Sequence, residues 1–256
     1  MTDLDGIVEH YERLFDEDAR LASPEGRVEV VRTRELLEPH LGGVRWVLDV
    51  GGGTGVHAAW LAERGCDVEV IDITPRHVAI ARERGLAAQV GDARELPCAD
   101  ESVDLVLLLG PLYHLVERRE RQLALLEARR VLRRGGVLAV AAISRFAGVL
   151  DMMRRSALTR EVVDQFAPYV ASGVARFPGG LAEVYFHRAF ELADEVTDAG
   201  FDLLGVHGLE GPGWLLLLGE PSDALIDGVL EAARVTGDQD GVVEASSHLL
   251  ALATRT

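Results

Sequence analysis

Asp49-Val50-Gly51-Gly52-Gly53-Thr54-Gly55 is the stretch on which the fold turns. Before it, Trp46-Val47-Leu48-Asp49-Val50 reads as a short buried strand; after it, Ala58 to Glu63 reads as a helix stopped by Gly65. A strand that turns sharply through glycines into a helix builds a crevice, because glycine adopts positive φ and lets a ligand approach the backbone. The glycines are spaced G-x-G-x-G. The third glycine of a dinucleotide fingerprint, G-x-G-x-x-G, would fall on Val56, so that motif is not met. A phosphate-binding P-loop needs a lysine, and the chain has none: all 26 basic residues are arginine. The same lack removes lysine nucleophiles and Schiff bases.

Asp49 sharpens the choice of ligand. A carboxylate two residues ahead of the first glycine would repel a pyrophosphate in a low-dielectric crevice. It suits instead a nucleoside that carries cationic groups, such as the ammonium and sulfonium of S-adenosylmethionine (SAM).

Outward from the loop, strands and helices alternate. Strands are expected at Val68 to Ile71, Ala87 to Val90, Val103 to Leu109, Val137 to Ile143, Leu203 to Leu209 and His248 to Ala253. Helices are expected at Arg76 to Arg84, Glu117 to Leu132, Leu192 to Ala199 and Asp223 to Val235. Arg133-Arg134-Gly135-Gly136 reads as the stop of the second of these, with glycine supplying a left-handed cap. The alternation predicts an α/β fold with a mostly parallel sheet and helices on both faces. Residues 1–43 read as helices, one of them starting at Ser23-Pro24. Residues 145–188 break the rhythm, with clustered aromatics and a loop at 177–180, and read as a cap over the carboxyl edge of the sheet. The expected organisation is an N-terminal helical segment (1–43), a nucleoside-binding core (44–144), the cap (145–188) and the rest of the core sheet (189–256).

The 256 residues, 48% hydrophobic and 27% charged, suit one folded globular unit. A net charge of −16 disfavours coating a nucleic-acid backbone. No apolar run reaches the roughly 18–20 residues of a membrane helix, and the first residues lack the order of a signal peptide. Cys66 and Cys98 are too few for a disulfide scaffold or a structural zinc site, and no metal is expected. A cytoplasmic monomer or homodimer, with neither nucleic-acid nor membrane partner, is the expectation.

With these motifs in order, the chain resembles the class I SAM-dependent methyltransferases, in particular their UbiE-like, small-molecule group. Val70-Ile71-Asp72-Ile73 ends the second strand with an acid, Gly91-Asp92-Ala93 follows the third, and Leu108 to Leu115 follows the fourth. Arg130-Val131-Leu132-Arg133-Arg134-Gly135-Gly136 is similar to the family's R-V-L-x-P-G-G, with Arg134 in the proline's place. The resemblance implies a Rossmann-like sheet of seven strands. It implies that Asp72 binds both ribose hydroxyls, for which two carboxylate oxygens are geometrically apt, and that Asp92 accepts from the adenine amino group. The implied donor-binding set is Tyr11, Asp49, Gly51, Gly52, Gly53, Asp72, Ile73, Asp92, Ala93 and Leu109, with S-adenosylhomocysteine (SAH) as the product.

Methyl transfer needs alignment of donor and acceptor, and a general base only where the acceptor must lose a proton. His114, with Tyr113 beside it, and His187 are the candidate catalytic residues; His57 is a weaker one. Arg145, Tyr185 and Trp214 are the candidate acceptor contacts. Gly110-Pro111-Leu112-Tyr113 lacks the polar first residue with which nucleic-acid amino-methyltransferases hold an exocyclic amine. A small organic acceptor, by association one of specialised metabolism, is therefore the leading expectation. A peptide acceptor, a SAM-binding protein without turnover and an NAD-dependent enzyme are the rivals.

Overall fold

In a computed structural model, residues 2–175 and 183–256 are described; the loop expected at 177–180 lies outside them. Three helices come first: α1 (Leu4–Arg13), α2 (Glu17–Ala22) and α3 (Pro24–Leu37). Each begins on a side-chain cap, from Asp3, Asp16 and Ser23 in turn, which satisfies a backbone N–H that the first helical turn leaves orphaned.

Alternation then sets in with β1 (Trp46–Val50), α4 (Val56–Ala62), β2 (Asp67–Asp72), α5 (Pro75–Glu83), β3 (Ala87–Val90), β4 (Val103–Leu108), α6 (Arg118–Val131) and β5 (Leu132–Ile143). Next come α7 (Ala147–Arg154), α8 (Arg160–Ser172), β6 (Val174–Ala175) and β7 (Val184–Tyr185). The chain closes with α9 (Ala189–Asp198), β8 (Asp202–Gly208), α10 (Asp223–Thr236) and β9 (His248–Thr254). Seven strands form one sheet in the order β3-β2-β1-β4-β5-β9-β8. β1 to β5 run parallel, and β9 alone is antiparallel to its neighbours. The expected seven-stranded, mostly parallel sheet is what forms.

The sheet is buried on both faces, which is why its strands read as unbroken apolar runs. Successive residues of a strand point to opposite faces. Leu48, Val50, Val106, Leu108, Leu138 and Val140 pack on one side with Leu125 and Ala128 of α6 and Leu192 and Val196 of α9. Val47, Leu105, Leu107, Ala139 and Ala141 pack on the other with Leu37 of α3 and Trp60 and Leu61 of α4. Strand order reverses between β1 and β4, and such a switch point opens a crevice at the carboxyl ends of the strands.

One expected boundary is corrected. α6 ends at Val131 and passes straight into extended Leu132, with no glycine cap. Gly135 (φ +78°) lies inside the irregular start of β5, where its N–H donates to the Arg255 carbonyl at 2.6 Å. The left-handed glycine there lets β5 pair with the C-terminal segment, and Arg133 pairs with Asp104 of β4 at 2.7 Å.

Among the described residues of 147–175 and 183–186, Ala147, Tyr169, Ala175, Val184 and Phe186 pack together and against Tyr113 and Ile143 at the carboxyl edge. A buried ion pair joins two helices of the core beside this layer. Arg121 of α6 grips Glu195 of α9 through Nη2 at 2.6 Å and Nε at 2.9 Å, and its guanidinium lies 3.7 Å from the centre of the Tyr185 ring. Removing one partner of such a pair strands the other charge. Arg121→Met should therefore lower unfolding stability by about 3–5 kcal/mol, read from the urea midpoint, with Glu195→Leu in the same chain recovering most of it. An unchanged midpoint in the single variant contradicts this role.

Candidate functional site

The strand–loop–helix at β1 builds the deepest part of a cleft at the switch point. Gly51 (φ +65°) makes the turn and lies against Pro111, where a Cβ would come within 2.6 Å of the proline ring. Gly52 lies against the Asp49 carboxylate, with 2.5 Å between a hypothetical Cβ and Cγ. A side chain at either position would collide with the acid or with the wall opposite. At Gly53 (φ +56°) the space is open, and nothing but Glu17 and His77 comes within 4.0 Å of such a Cβ.

Asp49 is 1% exposed, and neither carboxylate oxygen has a hydrogen-bond partner among the described residues. Burial, then the charge of Asp72, pushes its pKa up to about 7, with the Ala58 backbone a weak opposing influence. Asp72 differs. Its Oδ2 accepts from the Gly53 N–H at 2.9 Å, and its Oδ1 accepts from the Thr74 N–H at 2.8 Å and meets His77 Nδ1 at 3.3 Å. Burial alone would raise its pKa, but the His77 ring and these N–H groups hold it below the usual value. Two neighbouring acids thus sit in opposite states: one ionised and held, the other poised and bare.

Asp92 lines the cleft with both oxygens on Arg94, whose Nη2 comes within 2.6 Å and which also pairs with Glu120 at 2.7 Å. Ile73, Ala93 and Leu109 line it as well. Over its mouth lies α1, tied to α5 by Arg76 donating to the Glu12 carbonyl at 3.2 Å. α2 is tied to the glycine loop by Thr54 donating to Asp18 at 2.6 Å. The Tyr11 hydroxyl meets His114 Nε2 at 3.0 Å, so the N-terminal segment touches the loop after β4 across the cleft. Burial drives the His114 pKa down to about 3 and that of His57 to about 4, so both rings are neutral near pH 7. Burial also raises the Tyr113 phenol, which lines the same cleft. With its mouth and the open solvent there, the cleft spans about 1020 Å³.

Every residue expected at the donor thus lines one cleft, with Tyr113 and His114. Arg145, Tyr185 and His187 do not line it. Arg145 donates to the Phe186 carbonyl at 2.7 Å and pairs with Glu191 at 2.5 Å. His187 is 0% exposed, with Nε2 at 3.5 Å from Glu195. Tyr185 packs under Arg121. These three polar side chains are consumed in fastening the cap, which corrects the expectation that they face the acceptor. Trp214 lines a second cavity, with its indole N–H donating to the Ala245 carbonyl at 2.9 Å. Sequence reading missed His77, which holds Asp72, and Glu29, which with Arg20 lines both cavities. No spacing in the chain marks Glu29, because its partners come from α2 and from β9, 219 positions away.

Comparison with known proteins agrees with this geometry. A family model described as a methyltransferase domain matches residues 48–140. The chain is 39% identical over 106 residues to the methyltransferase GfsG of Streptomyces halstedii, a match covering 38% of this chain and only 37% of that protein. It is 30% identical over 194 residues to the demethylmenaquinone methyltransferase of Corynebacterium glutamicum (strain R), covering 72% of this chain and 79% of the relative. Among solved structures, a SAM-dependent methyltransferase of Thermotoga maritima, described as a possible histamine N-methyltransferase, shares the fold. Its TM-score is 0.60 at 22% identity, over 98% of this chain and 100% of that one.

The raised pKa of Asp49 has a cost that can be measured. Its folded pKa, about 7, exceeds the unfolded value of about 4, so the native state holds an extra proton between them. Stability therefore falls as pH rises through this window, by roughly 4 kcal/mol from this group. Asp49→Asn should melt higher than the parent at pH 8, with the gap closing toward pH 4; an equal gap at both ends would contradict the assignment.

Proposed function

The chain belongs to the class I SAM-dependent methyltransferases, and on that premise we propose that it moves a methyl group from SAM to O, N or C of a small organic acceptor. The observation that carries the donor half is Asp49: a buried acid with no partner is a poor neighbour for a phosphate and a good one for an ammonium group. The bound donor supplies an electrophilic methyl on a sulfonium; the acceptor atom attacks in line, and the carbon–sulfur bond breaks as the new bond forms. What remains for the protein is to bind, align and exclude water.

In this reading Asp72, ionised and aimed by Gly53, Thr74 and His77, keeps a lone-pair direction for the ribose diol. Ala93 and Asp92 border the adenine. Tyr11 and His114 close the cleft over the methionine end. An imidazole with a pKa of about 3 is a feeble base at rest, so His114 serves first to hold the Tyr11 hydroxyl and the acceptor in line. Relatives named for demethylmenaquinone and for glycine and sarcosine support a metabolite-sized acceptor, and a role in specialised metabolism fits the same reading.

Calorimetry tests this most simply. SAM and SAH should bind the parent and NAD should not. Asp72→Ala should weaken SAH by about a hundredfold or more, the worth of two hydrogen bonds to a charged group at about 1.5–3 kcal/mol each. A chain that binds NAD and ignores SAH overturns the proposal. Labelled SAM with a metabolite panel then reads turnover.

A further inference from the structure

The second cavity lies beside the donor cleft. Arg20 and Glu29 line both, so the two spaces meet at that pair. With its mouth and the open solvent there, it spans about 660 Å³. Its walls come from α3, α7, the turn carrying Trp214 and the start of β9.

Its charges are nearly all spent internally. Glu29 pairs with Arg20 at 2.5 Å. Glu25 pairs with Arg154, which also grips Asp151 at 2.6 Å. Glu210 accepts from the Ser246 hydroxyl at 2.6 Å and from the His248 backbone N–H at 2.9 Å. Its other oxygen lies 2.6 Å from His248 Nδ1, with Glu29 at 3.6 Å from the same atom. Burial opposes a charge on His248, but these two carboxylates lift its pKa to about 9 despite Arg20 nearby. The ring is an imidazolium, so both nitrogens carry hydrogens. Nδ1 is spent on Glu210. Nε2 has no partner among the described residues and is not a sealed atom.

With every carboxylate paired, the cavity offers nothing strong to a cation. Three cationic side chains against four carboxylates leave it slightly negative, which disfavours a full anion. A neutral oxygen is what an exposed N–H there can recognise. Glu29, Glu210 and His248 also have metal-like spacing, their ligand atoms lying within 4.8 Å. Arg20 and the imidazolium proton already neutralise that cluster, so it has no charge left for an ion.

We propose that this second cavity seats the methyl acceptor, and that His248 Nε2–H holds a neutral carbonyl or hydroxyl oxygen of it, turning the molecule toward the donor cleft across the Arg20–Glu29 pair. His248 is here a positioning residue. The inference rests on the methyltransferase reading of the neighbouring cleft, and the experiment separates the two. First, SAH is titrated into the parent protein by calorimetry; no binding sinks the donor reading. Then, with SAH saturating and EDTA present, three probes of one shape (benzamide, benzoate and benzylamine) are titrated into protein carrying ¹⁵N-histidine and ¹⁵N-tryptophan.

Benzamide should shift the Nε2 signal of His248 and the indole N–H of Trp214, with His248 Nδ1 moving little. Benzoate should act more weakly and benzylamine not at all. His248→Gln, whose two N–H bonds share one atom and cannot serve Glu210 and the cavity together, should weaken benzamide about tenfold; its near-UV circular dichroism checks the fold. Preference for benzylamine, binding that appears only when Zn²⁺ replaces the EDTA, or no shift at His248 from any probe while SAH binds, overturns the proposal. The parent spectra decide this even if the variant does not fold.

Discussion

A carboxylate sealed from water with no partner is among the more expensive things a fold can carry, and this fold carries one at its centre. Asp49 ends the first strand of the sheet, where strand order reverses, and its environment raises its pKa to about 7. Much of the surrounding structure serves to keep it there. The packed apolar strands fix its height. Gly52 leaves it room where any side chain would collide with it, and Asp72 adds a second charge nearby. Such strain is tolerated where a ligand relieves it, and a cationic group is the relief a bare acid calls for.

Around that point the chain, which has no lysine, builds most of its ion pairs on arginine. Arg121 with Glu195 joins two helices of the core, and Arg145 with Glu191 ties the segment after β5 to α9. Arg84 with Asp18 and Arg94 with Glu120 fasten the elements bordering the donor cleft. Guanidinium suits this work because its planar fork engages a carboxylate through two nitrogens and stacks on aromatic rings, as Arg121 does on Tyr185. With so many acids paired, Asp49 stands out as the buried carboxylate without a partner among the described residues.

The sheet was legible in the sequence because a parallel, doubly covered strand must be apolar on both sides, and a glycine turn must follow where a ligand approaches the backbone. The residues expected at the cleft were legible for the same reason: all but Tyr11, which lies on α1, sit at or just past a strand end, a position that chain order alone reveals. The acceptor side was not. His187, Arg145 and Tyr185 lie near the right edge in sequence, but their polar atoms turn inward to Glu195, Glu191 and Arg121. Only packing decides between a side chain that faces a cavity and one that fastens its wall. The pairing of Glu29 and Glu210 on His248 joins α3, the end of β8 and β9, contacts too distant in sequence for any periodicity to show. Gly135 misled for a local reason: a glycine after a helix fits a cap and a strand irregularity equally well.

The central claim is that the bare acid of the first strand exists for the cationic end of the donor. A carbon-13 titration of the Asp49 side-chain carboxyl, with and without saturating SAM, tests it at the atom concerned. The account predicts a midpoint near 7 in the free protein that falls by a unit or more, about tenfold in proton affinity, when SAM binds. A midpoint that SAM leaves in place, or that already lies near the ordinary carboxylate range in the free protein, would contradict it.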